Sequence, residues 1–423
     1  MDKEYIFLVS GEINRQEAGL TIRYDLVLVE LPNLALETPK MYFALGNLYL
    51  SAMARECGFT VHIADFRDGI RALPEAHFYG FSCTTPQIPI AKNLAHKVNG
   101  MTIVGGAHPS LLPDDCLEDF DIVVRGEGEF VLLDILAGNK RGKVIDAPRI
   151  EDLDSIPYPD WDAVTEPFSR TLYTGERYGD GEVSMAMITS RGCPYHCSFC
   201  GNIFNTPVRF RSVANIIGEV EQLKERGVNH LRFVDDNFTL NPDLFNLCWE
   251  LKKLNVKFRC HTRSNLVSAQ KIAPLAGAGC EECSLGIESA DDTVLKLNKK
   301  METVATHRKA VKLLKQAGIA VKYYWMSGLP GETDKTIELN MEFMKETQPA
   351  KWTLSTFTPY PGCAIFNNPA KFGVKIINPD WANWWNFAFN VRDLNLPGRL
   401  GYVHTLDGQT PEEMKARHDR FYY

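Results

Sequence analysis

Three cysteines within eight residues are the strongest chemical feature of this 423-residue chain. Cys193, Cys197 and Cys200 are spaced C-x3-C-x2-C, and the apolar, partly β-branched run at 185–189 before them is typical of a buried strand. The spacing predicts a loop at a strand end whose thiolates can close around one metal centre. Iron–sulfur clusters usually take four thiolates. Three thiolates with no fourth nearby therefore indicate a cluster with one open iron, which can bind a substrate.

Two other interpretations of the cysteines remain open on the residues alone. The first is a structural zinc site, and the second is three unrelated buried cysteines. Zinc sites favour paired C-x2-C halves and a fourth ligand. Here His196 lies inside the loop, and the next cysteine, Cys248, is far downstream.

The loop resembles that of the radical S-adenosylmethionine (SAM) superfamily, whose signature is C-x3-C-x-Φ-C with an aromatic residue at Φ. Phe199 occupies that position. The resemblance implies that Cys193, Cys197 and Cys200 hold a [4Fe-4S] cluster whose open iron chelates the amino and carboxylate groups of SAM. One electron from the cluster then breaks a C–S bond of SAM, which gives methionine and a 5′-deoxyadenosyl radical.

Strand and helix patterns alternate after the cysteines and predict six β/α units. The predicted strands are 185–189, 231–234, 257–263, 283–289, 321–326 and 352–358. Parallel strands need crossover helices, and their carboxyl ends collect active-site groups. This pattern resembles the partial (β/α)6 barrel of radical SAM enzymes. The resemblance assigns SAM contacts to Asp235 and Asp236 (amino group), Glu288 and Ser289 (ribose and carboxylate) and the turn that begins at Gly328 (adenine).

The first 145 residues predict a different module, an open, doubly wound α/β sheet of the Rossmann-like class. Its predicted strands are 25–31, 60–65, 78–83, 101–104 and 121–124. Such sheets bind ligands in the crevice outside the strand carboxyl ends, and glycines such as Gly105 and Gly106 let the backbone approach a ligand closely. A scaffold domain with an empty crevice stays open as an alternative, because this kind of fold does not dictate function.

This module is similar to the cobalamin-binding domain that precedes many radical SAM domains. The resemblance implies cobalamin contacts at Thr84, Thr85, Gly105, Gly106 and His108. The chain lacks the Asp-x-His-x-x-Gly stretch that supplies a cobalt ligand in methionine synthase-type domains. We therefore expect cobalamin to be bound without a protein histidine on cobalt, with His108 near the corrin or its tail. Some relatives keep the domain without cobalamin, so a vestigial domain is the alternative.

Composition is that of a soluble globular protein, with 45% hydrophobic and 23% charged residues. The net charge of −7 argues against a nucleic-acid partner. We see no apolar stretch long enough for a transmembrane segment and no signal peptide, which predicts a cytoplasmic protein. A second C-x2-C pair, Cys280 and Cys283, is expected to be structural. An auxiliary cluster or a redox pair is the alternative.

The expected organisation is a cobalamin-binding domain at 1–145, a linker at 146–184, a radical SAM barrel at 185–365 and an aromatic-rich C-terminal subdomain at 366–423. The aromatic side chains of that subdomain are expected to pack onto the barrel, with a role in lining the substrate pocket as the alternative; they are Trp381, Trp384, Trp385, Phe387 and Phe389. On the third barrel strand, His261 and Arg263 share a face. They are candidates for orienting a substrate or for a buried hydrogen-bonded pair.

Together the two modules predict a cobalamin-dependent radical SAM enzyme that methylates an unactivated carbon of a small molecule. The cofactors would be a [4Fe-4S] cluster, SAM and cobalamin, and a flavodoxin or ferredoxin would supply electrons. The alternative is radical cyclisation, ring contraction, dehydration or epimerisation, with cobalamin in another role or absent. A protein that only transfers electrons would need no SAM site. The sequence assigns no residue to proton or hydrogen transfer.

Overall fold

The computed structural model describes residues 23–34, 43–164, 183–201, 203, 207–386 and 402–422. The chain divides into two compact units. The first lies within Met1–Ile150 and Ser155–Pro167, and the second within Glu151–Asp154 and Phe168–Tyr423.

The first unit is built on a parallel six-stranded sheet in the order β2-β1-β3-β4-β5-β6. Its strands are β1 (Tyr24–Glu30), β2 (Val61–Asp65), β3 (Ala76–Ser82), β4 (Met101–Gly105), β5 (Ile122–Arg125) and β6 (Val144–Asp146). Its helices are α1 (Leu45–Glu56), α2 (Ile88–Ala95), α3 (Ala107–Leu111) and α4 (Glu129–Leu136). The order reverses beside β1, since the chain crosses from β2 over β1 to β3. In doubly wound sheets, ligands bind at such a switch point.

The predicted doubly wound fold is confirmed, with one strand more than expected. The strand β6 has three residues, and two of them are exposed, so it lacks the apolar run that identifies buried strands. The other strands are apolar because both faces of a parallel sheet are covered. Leu26 and Leu28 of β1, for instance, pack in one core with Val131 and Ile135 of α4.

Part of the predicted linker is integral to the first unit. Ser51 of α1 donates a hydrogen bond to Asp160 at 2.5 Å, and the Arg55 guanidinium lies 2.9 Å from the same carboxylate. Trp161 beside it is only 2% exposed. Residues 155–164 are therefore held against α1.

The second unit contains a parallel six-stranded half-barrel in the order β14-β13-β12-β11-β10-β7. Its strands are β7 (Ser184–Met187), β10 (His230–Phe233), β11 (Lys257–Thr262), β12 (Cys280–Glu288), β13 (Ala320–Ser327) and β14 (Lys351–Thr356). A two-residue antiparallel pair joins β8 (Ser190–Arg191) to β9 (Arg209–Phe210). Its larger helices are α5 (Val213–Glu225), α6 (Leu244–Leu254), α7 (Ala269–Gly277), α8 (Asp292–Leu297), α9 (Val304–Gln316) and α10 (Asp334–Thr347). The predicted partial barrel is confirmed.

Local sequence signals set the helix ends. The Ser212 hydroxyl accepts a hydrogen bond from the Asn215 N–H at the start of α5, and Thr303 caps α9 through the Thr306 N–H in the same way. Side-chain oxygens at this position satisfy backbone donors that the helix leaves unpaired. Gly227 and Gly318 follow the two helices with positive φ, the usual way for a helix to stop.

The C-terminal segment packs onto the barrel, as expected. It includes α11 (Ala364–Asn367), the antiparallel pair β15 (Val374–Ile376) and β16 (His404–Leu406), and α12 (Pro411–Asp419). Tyr402 and Met414 share a core with Leu329 and Phe357, and Trp384 is only 1% exposed. Phe387 and Phe389 lie outside the described residues. No helix in the described ranges has the length and apolar character needed to cross a bilayer.

Candidate active site

The cysteine loop is anchored at its start by a buried carboxylate. One oxygen of Asp235, just after β10, accepts hydrogen bonds from the Thr189 N–H (2.9 Å), the Thr189 hydroxyl (2.9 Å) and the Ser190 hydroxyl (2.6 Å). Burial raises the pKa of Asp235, and these hydrogen bonds oppose the rise. Its second oxygen is buried and has no partner among the described residues. The carboxylate therefore fixes the loop and keeps one acceptor available.

Two of the three sulfurs accept hydrogen bonds from neighbouring strand ends. The Asn237 amide donates to the Sγ of Cys193 at 3.2 Å, and the Arg263 guanidinium donates to the Sγ of Cys197 at 3.2 Å. Cys200 is exposed. Burial raises the pKa of Cys193, with the Tyr195 N–H acting against it and the Asp236 carboxylate adding to it. A cation and an amide aimed at sulfur favour the thiolate form that ligates metals.

Arg263 begins a line of alternating charges that runs from the cysteine loop to the end of β12. Its guanidinium lies 3.3 Å from the Glu302 carboxylate, which is 3.5 Å from the Lys300 ammonium. The ammonium in turn is 3.2 Å from Glu288. Arg263 also stacks over the ring of Tyr195, inside the loop, at 3.9 Å. These four charged groups are nearly buried and compensate one another, as buried charges must.

Glu288 and Ser289 lie at the carboxyl end of β12, as predicted. Glu288 has a φ of 62°, unusual for a residue with a side chain, and the register between β12 and β13 shifts at this point. The Ser289 hydroxyl accepts a hydrogen bond from the Asp291 N–H at 3.2 Å. Strained backbone of this kind is concentrated at functional sites.

The turn at Gly328 is tightly enclosed. Gly328 has a φ of 84°, and a Cβ at this position would lie 2.5 Å from the Tyr402 ring. Its N–H donates to Glu332 at 3.1 Å, and its carbonyl accepts from His404 at 3.0 Å. Burial raises the pKa of Glu332 to about 7. Phe199 of the cysteine loop packs against the core that contains Leu329.

The residues around the loop fit an iron–sulfur cluster with an open position. Three thiols on one short loop match its donor type, and the donors from Asn237 and Arg263 match the negative charge that the thiolates carry. The free oxygen of Asp235 and the carboxylates of Asp236 and Glu288 are acceptors for a cationic amine. Partial burial and the Asp235 charge raise the pKa of Asp236.

The predicted cofactor residues of the first unit surround the turns after β3 and β4. The Thr84 hydroxyl donates to the Gln87 side chain at 2.8 Å, while Thr85 is buried. Gly105 ends β4, and Gly106 has a φ of 95°. A Cβ on Gly106 would lie 2.7 Å from the Cys83 backbone nitrogen, so glycine is required there.

His108 is turned into the first unit rather than outward. Its side chain is fully buried; one ring nitrogen lies 3.3 Å from the Thr85 hydroxyl and the other 3.1 Å from the Asp115 carboxylate. Burial alone would raise the pKa of Asp115, but hydrogen bonds from His108 and Lys92 lower it to about 2. Both ring nitrogens of His108 are therefore engaged inside the first unit.

Cys280 and Cys283 belong to a buried group of thiols in the sheet. Both lie on β12, beside Cys260 of β11. Hydrogen bonding between the thiols, and then burial, raises the pKa of Cys260 and Cys283. At Cys280 the hydrogen bond from Cys260 lowers the pKa, but burial and nearby charges outweigh it, so that pKa is raised as well. Cys283 is in register with Cys260. The strand starts at Cys280, earlier than predicted. Buried neutral thiols behave as small apolar groups, which agrees with the structural interpretation.

Sequence patterns missed Asn237, Lys300 and Glu302, and left the role of Arg263 open. Asn237 follows the Asp235–Asp236 pair, and that position was its only signal. Lys300 and Glu302 lie in the turn between α8 and α9, where charged residues are usually solvent-exposed. His261, the other candidate on β11, contacts Tyr324 instead, at 3.5 Å from its hydroxyl.

Comparison with family models agrees with this geometry. Residues 187–344 match the Radical SAM superfamily model, and residues 34–136 match the model of the B12 binding domain. The first match contains the cysteine loop, Asp235, Glu288 and Gly328; the second contains the turns after β3 and β4.

Individual proteins resemble the chain across both units. Bacteriochlorophyllide d C-12(1)-methyltransferase of Chlorobaculum tepidum is 26% identical over 366 residues, which cover 82% of this chain and 78% of that enzyme. The anaerobic magnesium-protoporphyrin IX monomethyl ester cyclase of Cereibacter sphaeroides is 30% identical over 320 residues, 67% of this chain and 51% of the cyclase. The radical SAM methyltransferase TsrM of Kitasatospora setae, solved with cobalamin and a [4Fe-4S] cluster bound, has the same fold, with a TM-score of 0.67 at 17% identity and coverage of 94% and 88%.

Proposed function

We propose that this chain methylates an unactivated carbon of a small molecule. It is a radical SAM enzyme whose B12-binding domain precedes the radical SAM domain in the sequence. The observation that carries the proposal is the pairing of the two domains in one chain with a methyltransferase relative that spans both. A methyl carrier and a source of carbon radicals are the two parts that such a reaction needs.

The cofactors supply the reactive groups, a 5′-deoxyadenosyl radical from SAM on the [4Fe-4S] cluster and a methyl group on cobalamin. The protein holds and orients them. Cys193, Cys197 and Cys200 would bind the cluster, while Asn237 and Arg263 donate hydrogen bonds to two of the sulfurs. Asp235 fixes the loop start, and Glu288, held by Lys300, would accept hydrogen bonds from SAM. A flavodoxin or ferredoxin delivers the electron.

Thr84, Thr85, Gly105, Gly106 and His108 shape the cobalamin crevice. The positive φ of Gly106 keeps the turn after β4 close to the β3 turn. The two ring nitrogens of His108 contact Thr85 and Asp115, and so connect these two residues inside the domain. In this arrangement the turns present backbone to the ligand while the imidazole stays inside the domain.

Radical cyclisation is the second candidate, because the cyclase of Cereibacter sphaeroides is 30% identical to this chain. The two reactions consume SAM differently. A methylase of this type forms both 5′-deoxyadenosine and S-adenosylhomocysteine, whereas a cyclase needs only the radical.

The deciding experiment measures SAM products. The protein is purified without oxygen, loaded with iron, sulfide and cobalamin, and incubated with SAM and dithionite. Methylation predicts both 5′-deoxyadenosine and S-adenosylhomocysteine, together with cobalt and about four irons per chain. The first product alone, with cobalamin bound, would reject the methylase and favour the cyclase. Cys200→Ala is the control and should form neither product.

A further inference from the structure

The turn between α8 and α9 is hydrogen-bonded to the cysteine loop. The Asn298 carbonyl accepts a hydrogen bond at 2.9 Å from the N–H of Ser198, which lies between the second and third loop cysteines. The Lys300 carbonyl accepts a hydrogen bond from the Arg263 guanidinium, and the same guanidinium donates to the Cys197 Sγ at 3.2 Å. The backbone of this turn is therefore connected to the proposed cluster ligands at two points.

Side chains of this turn point alternately into the domain and into solvent. Lys300 is buried beside Glu288, whereas its neighbours Lys299 and Met301 are exposed, Met301 to 75%. Both neighbours have positive φ, at 52° and 56°. Such backbone is strained for residues with a side chain, and it is concentrated at functional sites. Leu297, which ends α8, is a second exposed apolar residue, at 42%.

The sequence around the turn is strongly basic, although the chain as a whole has a net charge of −7. Residues 296–316 contain seven lysines and arginines and one carboxylate, that of Glu302. Three of the seven cations have partners; they are Lys300, Arg308 and Lys315. The other four are exposed and have no partner in the part of the chain that the structure describes; they are Lys296, Lys299, Lys309 and Lys312.

The acidic residues of α8 are at its other end and are already engaged. Asp291 accepts hydrogen bonds from the Thr293 N–H and the Thr336 hydroxyl, both at 2.9 Å. Asp292 accepts one from the Val304 N–H at 2.8 Å. Carboxylates at a helix start also interact favourably with the helix dipole. The lysines at the end of α8 are therefore left without a counter-charge from their own helix.

Four residues of this region form what we call the loop-side surface; they are Lys296, Leu297, Lys299 and Met301. It combines exposed apolar side chains with cations, and methionine is enriched in protein interfaces, where its flexible side chain adapts to a partner. Single exposed apolar residues are common on proteins. The meaning of this surface therefore comes from its charge and from its contacts with the cysteine loop.

We propose that the loop-side surface docks the electron donor of the enzyme, a small redox protein with an acidic surface around its redox group. The lysines attract the acidic partner, and the apolar side chains pack against it. One electron then passes to the cluster, so the donor is oxidised by one electron, the cluster is reduced by one, and no bond forms or breaks. This assignment rests on the proposed function, because reductive cleavage of SAM is what requires a donor.

The first test measures binding. An oxidised flavodoxin of net negative charge is titrated calorimetrically into the anaerobic, cluster-loaded protein at low salt. Lys296→Gln/Lys299→Gln removes two charges from the loop-side surface, and Lys252→Gln/Lys375→Gln removes two exposed charges from α6 and β15. We expect flavodoxin affinity to fall at least about tenfold in the first double variant and to stay unchanged in the second. The difference should shrink as added salt screens the charges.

Met301→Asn tests the apolar part of the surface. Asparagine tolerates the left-handed backbone at this position, so the variant removes the apolar side chain without new strain. Flavodoxin binding should weaken at every salt concentration, because contact area is lost and charge is not. Met101→Asn, at a 45% exposed residue that starts β4, is the control and should bind like wild type.

The rate of cluster reduction separates docking from damage to the cluster. Stopped-flow absorbance follows reduction by photoreduced flavodoxin and, separately, by dithionite. A rate that falls with flavodoxin in Lys296→Gln/Lys299→Gln and is unchanged with dithionite supports the proposal. Equal flavodoxin rates in wild type and this variant, or an equal loss of rate with dithionite, overturn it.

Two further outcomes would also overturn the docking proposal. One is that neither the flavodoxin nor an acidic ferredoxin, used as a second probe, binds to wild type. The other is a wild-type dimer, seen by sedimentation velocity, that dissociates in Met301→Asn, because the surface would then belong to a second copy of the chain.

SAM cleavage with dithionite keeps this proposal distinct from the proposed function. Dithionite needs no docking surface, so wild type and Lys296→Gln/Lys299→Gln should form 5′-deoxyadenosine at the same rate. Cleavage in wild type together with flavodoxin binding that ignores the loop-side surface rejects the docking site alone. Flavodoxin binding at this surface without any cleavage of SAM rejects the proposed function instead.

Discussion

Arg263 donates a hydrogen bond to the Sγ of Cys197 across 3.2 Å, which ties the end of β11 to the cysteine loop. The same guanidinium contacts Glu302, so it connects the loop to the charges that lead to Glu288. One side chain thus supports both the proposed cluster ligands and the proposed SAM contacts.

Replacing Arg263 should weaken cluster binding. Arg263→Gln removes the cation that contacts the Cys197 sulfur and one of the partners of Glu302. Loss of a group that supports a metal ligand typically lowers metal affinity by about 10–100-fold. Arg263→Lys should have a cluster affinity between those of wild type and Arg263→Gln, because an ammonium keeps the positive charge but lacks the planar pair of N–H donors of a guanidinium. Iron per chain after anaerobic reconstitution measures the effect. Arg308→Gln, in an exposed ion pair with Glu346, should keep wild-type iron content.

The three loop cysteines should account for the iron. Cys193→Ala, Cys197→Ala and Cys200→Ala should each reduce iron from about four per chain toward zero. Cys283→Ala and Cys57→Ala are the controls, since one is buried in the sheet and the other exposed in the first unit. Loss of iron in Cys283→Ala with an unchanged circular dichroism spectrum would contradict the structural role of that thiol.

The turn at Gly328 should not tolerate a side chain. Gly328→Ala combines a left-handed φ with a Cβ that would meet the Tyr402 ring, and it should lower the free energy of unfolding by more than about 1 kcal/mol. Gly318→Ala is the matched control, because Gly318 has a similar φ of 77° and no atom within 4 Å of the added Cβ. Urea unfolding of both variants separates backbone strain from the clash. If both variants lose the same free energy of unfolding, the contact of the added Cβ with Tyr402 does not destabilise the protein.

Glu332 should make stability fall as pH rises. Its pKa is about 7 in the folded protein and near its ordinary value of 4.5 when unfolded, so the folded state holds the proton longer. Stability from this group is thus greatest at low pH and is lost between about pH 4.5 and 7. Because a glutamine at this position does not titrate, the free energy of unfolding of Glu332→Gln minus that of wild type should increase by up to about 3 kcal/mol between pH 5 and pH 8. Urea midpoints across this range test it, with exposed Glu338→Gln as a flat control.

His108 should matter for folding and not for cobalt ligation. His108→Ala removes the partner of Thr85 and Asp115, which should cost about 1–3 kcal/mol of unfolding free energy. The electron paramagnetic resonance spectrum of bound cob(II)alamin should lack nitrogen splitting from a protein imidazole in both wild type and variant. Splitting that disappears in His108→Ala would show that the imidazole leaves the domain interior to bind cobalt. His96→Ala, exposed and paired with Asp119, is the control.

The elements that the sequence predicted well are those whose patterns are local. For the helix α9, the cap at Thr303, the apolar stripe and the following Gly318 all lie in one segment, so a local pattern predicts it. The short strand β6 carries no such pattern, since pairing with β5 stabilises it rather than its own side chains.

The residues of the candidate active site also fall into those with a local sequence pattern and those without one. The cysteines and the ends of β10, β12 and β13 can be found from motifs, whereas the contacts of Arg263, Lys300 and Glu302 depend on how separate segments meet in space.

The two faces of β13 differ in what a substitution would cost. Tyr323 and Trp325 are locked into the helix layer, so changes there would disturb folding. Lys322 and Tyr324 project from the other side of the same backbone, where substitutions leave that packing intact. Lys322 and Tyr324 can therefore change in evolution with little loss of foldability, while Tyr323 and Trp325 between and beside them stay fixed.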